Sequence, residues 1–149
     1  MKTLVVFYSR TGNTRKVAEK ISRILKADLD EVTDLKDRKR FIVGWFISGM
    51  DASKNKLTEI KYNKSPAKYD LVIIGTPIWA WTVTPAIRSY LKQNKIKKTA
   101  FFCTCGGKES KAFKEMEKLS RKPIATLAVK DRELDSSDDK IKDFCRRLK

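Results

Sequence analysis

Three runs of consecutive apolar residues restrict this chain more than anything else in it: Leu4-Val5-Val6-Phe7, Leu71-Val72-Ile73-Ile74 and Ala100-Phe101-Phe102-Cys103. A strand that is apolar at every position, and not only at alternate ones, is covered on both faces. Such strands belong to a parallel sheet packed between helices. The stretches between them carry the matching helical pattern. Val17, Ala18, Ile21, Ile24 and Leu25 recur at helical spacing, with Arg15, Lys16, Lys20 and Arg23 on the solvent face. Thr84-Pro85 reads as an N-cap with proline at the first helical position, ahead of Ile87, Tyr90 and Leu91. Ala112, Phe113, Met116 and Leu119 form a third helix face. Asp138 and Asp139 open a last helix with Ile141, Phe144, Cys145 and Leu148 inside. Arg146, Arg147 and Lys149 close it, as the helix dipole favours.

Two weaker strands complete the alternation, Leu29 to Val32 and, after Pro123, Ile124 to Val129. The first strand is expected over Lys2 to Tyr8. Strand and helix thus alternate to the end, which predicts one α/β domain over residues 1–149 with a five-stranded parallel sheet. The length suits a single core, and 41% apolar residues suffice to build one. There is no linker, repeat or low-complexity segment. No run approaches the roughly 18 apolar residues that span a bilayer, so stable membrane insertion is not expected. Met1-Lys2-Thr3 and the short run after it make no secretion signal. A cytoplasmic protein is expected, with reduced thiols at Cys103, Cys105 and Cys145. With no histidine and three cysteines, no zinc centre is expected.

In an open parallel sheet, ligands bind beyond the carboxyl ends of the strands. The loops after the three apolar runs therefore belong together. Ser9-Arg10-Thr11-Gly12-Asn13-Thr14 offers hydroxyls, a glycine for close approach and the free N–H groups of a helix start, which suit a phosphate. It is neither a Walker loop nor a dinucleotide fingerprint. Thr76-Pro77-Ile78-Trp79-Ala80-Trp81 places two indoles directly after a buried strand, where they can flank a planar aromatic ligand. Cys103-Thr104-Cys105-Gly106-Gly107 again lets backbone approach closely. Its Cys-x-Cys spacing is not the usual redox dithiol.

VFYSRTGNTRKVAEKI resembles the FMN-phosphate signature of flavodoxins. DLVIIGTPIWAWTVTPAIRSYL is similar to their second flavin loop with its following helix, and FFCTCGG to the third. The resemblance runs over nearly the whole chain, in order. It implies a flavodoxin-like three-layer sandwich with sheet order 2-1-3-4-5 and non-covalent FMN. It implies that Ser9, Arg10, Thr11, Gly12, Asn13 and Thr14 hold the phosphate. Thr76, Pro77, Ile78, Trp79, Ala80 and Trp81 would contact the ribityl chain and ring. Cys103, Thr104, Cys105, Gly106 and Gly107 would line its other side.

The chain departs from that family in charge. Its net charge is +16, where flavodoxins are typically acidic. A basic surface attracts anionic partners. The lysines are spread over several helices and not gathered beside exposed aromatics, so nucleic acid is not the expected partner. An electron carrier shuttling between redox partner proteins with acidic docking surfaces is expected. The alternative is an FMN-dependent NAD(P)H oxidoreductase acting on quinones or other small acceptors. From Lys36 to Lys61, Phe41, Ile42, Trp45, Phe46 and Met50 recur at helical spacing. That stretch is expected as an amphipathic helix packed on the sheet; the alternative is that it caps the flavin or presents an apolar docking patch.

Overall fold

Every residue of β1 (Thr3–Phe7) is buried, as a strand in mid-sheet requires. A computed structural model describes residues 1–36, 57–108 and 111–149 of the chain. β1 lies between β2 (Asp28–Glu31) and β5 (Leu71–Trp79), parallel to both. β7 (Thr99–Cys105) follows on the other side of β5, and β8 (Thr126–Lys130) forms the far edge. The order is β2-β1-β5-β7-β8. Counting only the parallel strands, that is the expected 2-1-3-4-5. Two short pieces lie outside this path. β3 (Thr33–Asp34) pairs antiparallel with β4 (Ile60–Lys61), and β6 (Thr82–Val83) folds back on the end of β5.

The alternation of side chains along each strand divides the interior into two cores. Val5, Phe7, Ile73 and Phe102 pack on one face with Val17, Ala18 and Ile21 of α1 (Asn13–Leu25) and with Ile141, Phe144 and Cys145 of α4 (Asp138–Arg147). Leu4, Val6, Val72, Ile74 and Phe101 pack on the other. There they meet Ile87, Tyr90 and Leu91 of α2 (Pro85–Gln93) and Met116 of α3 (Ala112–Leu119). The result is the expected three-layer sandwich. Burial pushes the Cys145 thiol up to about 11, so it stays protonated at neutral pH. Phe102 lies directly over Gly75, where an added Cβ would stand 2.0 Å from its ring carbon Cζ.

Some boundaries differ from expectation. The first strand is shorter at both ends, Thr3–Phe7, and the second begins one residue earlier and ends at Glu31. The last strand is Thr126–Lys130 and leaves Ile124 exposed. β8 has one neighbour, so its burial alternates and its start is weakly marked. Ile24, expected on the buried face of α1, is exposed, whereas Leu25 is partly buried against the core. Of the amphipathic stretch from Lys36 to Lys61, residues 37–56 lie outside the described residues. No helix among the described residues is long and apolar enough to cross a membrane.

Candidate cofactor-binding site

Strand register brings the three predicted loops to one edge. Phe7 stands opposite Gly75, and Pro77 opposite Thr104, so the ends of β1, β5 and β7 lie side by side. The Tyr8 N–H donates to the Gly75 carbonyl at 3.2 Å and continues the pairing into the first loop.

The first loop is organised by Ser9. Its Oγ accepts the N–H groups of Gly12 at 3.1 Å and Arg15 at 3.3 Å. Gly12 caps α1 with φ 98°, a conformation in which a Cβ would be strained. A helix leaves its first N–H groups without partners inside the helix. Here those of Thr11, Asn13 and Thr14 find none among the described residues. This is a ready anion cradle at the positive end of α1. The Thr14 side chain is buried, and its hydroxyl lies 2.7 Å from that of Thr104. The pair ties the helix start to β7. Asn13 is held from outside, its Nδ2 donating to Asp131 at 3.2 Å. Arg15 leans away, its Nη2 donating to both carboxylate oxygens of Glu31 at 2.6 Å, which raises its pKa.

Arg10 folds across toward the second loop. Its guanidinium lies 5.8 Å from the centre of the Trp79 ring, and Trp79 meets Tyr8 edge-on at 5.4 Å. The second loop itself is mostly strand. β5 runs to Trp79 and turns through Ala80 and Trp81 into β6, with Trp79 opposite Thr82. Ala80 and Trp81 have φ of 48° and 69°, as a type I′ two-residue turn demands, yet neither is glycine. A left-handed conformation costs an ordinary residue about 1–2 kcal/mol. Trp81 is thereby held out at 70% exposure.

The third loop is also shorter than its motif. Cys103, Thr104 and Cys105 belong to β7 and are buried, and only Gly106 and Gly107 emerge as loop. The Cys105 thiol donates to the Gly107 carbonyl at 3.5 Å. Between the second and third loops lies a cleft of about 330 Å³. Ile78, Trp79, Ala80 and Trp81 line one side, and Cys105, Gly106, Gly107 and Lys108 the other. Its volume is in the range of small-ligand sites, and its aromatic lining suits a flat ring. Thr76 and Cys103 are fully buried and do not line it; the Thr76 hydroxyl is 3.1 Å from that of Thr84. Arrayed along one edge, then, are an anion cradle, an aromatic bracket and a glycine-bounded wall.

One charged group beside the site was not expected. Arg88 of α2 is only 4% exposed. Its Nη2 donates to Glu115 of α3 at 2.9 Å and to the Thr82 hydroxyl at 3.3 Å, and Thr82 in turn donates to Glu115. The three lock β6, and with it the Ala80-Trp81 turn, onto both helices. The only signal in the sequence is position. Arg88 falls between Ile87 and Tyr90, and not on the opposite face.

Comparison with known proteins agrees with this fold. A family model described as Flavodoxin matches residues 2–146. A flavoprotein from Lactobacillus acidophilus NCFM, solved in complex with FMN, is 27% identical with a TM-score of 0.72. That match covers 95% of this chain and 98% of that one. A flavodoxin from the domain Archaea is 16% identical with a TM-score of 0.54, over 99% of each chain, and shares the fold. An uncharacterised protein of Archaeoglobus fulgidus is 25% identical over 146 residues, 95% of this chain and 94% of its own.

Proposed function

Since the chain belongs to the flavodoxin family, we propose that it binds FMN and carries electrons between redox partner proteins. Bound FMN supplies one- and two-electron chemistry; the protein sets its position and exposure. The Ser9–Thr14 loop fits the phosphate through backbone N–H groups. The cleft between Trp79 and Gly106 fits the ring. Arg10, already over Trp79, bridges the two parts of the site.

The observation that carries the electron-carrier reading is the exposure of the cleft walls. Trp81, Gly106, Gly107 and Lys108 all lie at the surface, so a ring seated there presents an edge to a docking partner. Lys108 makes that rim basic, which favours acidic partner surfaces. The second reading, an FMN-dependent oxidoreductase of small acceptors, is favoured by a larger cavity that shares Ala80 and Trp81 with the cleft.

Replacing Ser9 by alanine removes the acceptor that shapes the phosphate loop. FMN affinity is expected to fall about tenfold, the equivalent of one net hydrogen bond. Flavin fluorescence quenching measures this, and an unchanged Kd would separate the loop from the phosphate. Stopped-flow reduction of the FMN-loaded protein separates the two functions. A carrier accepts electrons from a reduced acidic ferredoxin at a rate that falls steeply with salt. Rapid partner-free turnover of NAD(P)H with a quinone would sink the carrier reading in favour of the oxidoreductase.

A further inference from the structure

We propose that the trough between α2, α3 and β6 is a second binding site, for the phosphate-bearing end of a small organic molecule. Its position beside the ring rests on the FMN reading, but its anion binding does not. The cavity measures about 850 Å³, inside the range of small-ligand sites. Lys92, Lys111 and Lys118 line it together with Arg88 and Glu115. Among the described lining residues, Arg88 and Glu115 are paired to each other, 2.9 Å apart, and the three lysines add positive charge beyond that pair. No ion pair of those lysines occurs among the described residues. Lys111, at the N-cap of α3, and Lys118 on it stand two turns apart and share a face. Lys92 faces them from α2, one turn after Arg88. Ammonium groups converging on a concavity concentrate anions within it.

The rest of the lining supplies what the organic part of such a molecule needs. Trp81 offers an exposed ring, and Leu57 and Leu119 offer apolar surface. Trp81 and Ala80 also line the flavin cleft, so a ligand anchored by its phosphate in the trough can reach along the indole to the ring edge.

The test is a titration of FMN-saturated protein with inorganic pyrophosphate, followed by amide chemical shifts. Filling the first loop with FMN removes it as a competing anion site, and FMN affinity is measured separately. Saturable shifts are expected at Thr82, Arg88, Lys92 and Leu119. In the triple variant Lys92→Gln/Lys111→Gln/Lys118→Gln, pyrophosphate affinity should fall at least tenfold. A variant losing three equal charges elsewhere, Lys26→Gln/Lys68→Gln/Lys142→Gln, should change less than twofold. Equal losses in both variants, or shifts scattered over the surface without saturation, would overturn the proposal. A hexaglutamate peptide that binds tighter than pyrophosphate with the same lysine dependence would also overturn it, and would assign the trough to an acidic protein segment.

Discussion

Replacing Gly75 by alanine should destabilise the protein by about 3 kcal/mol, the upper part of the range for overpacking a rigid core. The new Cβ would sit 2.0 Å from Cζ of Phe102 and 2.4 Å from Cε2, far inside contact distance. Phe102 is itself fully buried between α1 and the sheet, so its ring has no space to withdraw into. The backbone at Gly75 is paired on both sides, with Phe7 and Phe102, and cannot move alone. Total stabilities of domains this size are about 5–15 kcal/mol, so the loss is a large share. A urea midpoint measures it. Gly75→Ala/Phe102→Leu should recover part of the loss, because the smaller side chain makes room. A single variant within 1 kcal/mol of the parent, or a strictly additive pair, would remove the steric explanation.

Replacing Arg88 by methionine should cost about 2–3 kcal/mol. Removing one partner of a buried ion pair leaves the other charge without compensation, and such losses commonly reach about 3–5 kcal/mol. Glu115 keeps a quarter of its side-chain surface in water, which lowers the figure. Thr82 loses a donor at the same time, so the turn that presents Trp81 is loosened along with the α2–α3 contact. Combined with Glu115→Gln, Arg88→Met should be less damaging than the sum of the single changes, by about 1 kcal/mol or more. Thermal unfolding of the four proteins gives that coupling. Additive effects would mean that the pair contributes only as two separate surface contacts.

The parts of the fold legible from sequence were those with one dominant demand. Leu4 to Phe7, Leu71 to Ile74 and Ala100 to Cys103 are apolar throughout because both faces are covered, and no other element gives that pattern. The first loop was legible for a related reason: a polar hydroxyl-rich stretch between a buried strand and an amphipathic helix has few uses. The second and third loops were only half legible. Thr76 to Trp79 and Cys103 to Cys105 continue their strands, because pairing with neighbours outlasts the point where hydrophobicity fades. The Ala80-Trp81 turn lacks the Asn-Gly signal of its type, since the fold imposes the left-handed conformation on ordinary residues. Arg88 was missed because a charged residue on a helix ordinarily faces water. Its burial depends on Glu115, a partner 27 positions away. Long-range pairing of that kind leaves no periodic trace.

The residues Ala80 and Trp81 form a party wall. The same two side chains bound the flavin cleft and the lysine-lined trough. An occupant of either cavity therefore acts on a common boundary that is held under backbone strain. Thermodynamic reciprocity then applies: whatever factor FMN imposes on binding in the trough, a trough ligand must impose on FMN in return. A single turn of two strained residues is enough to couple the two neighbouring cavities.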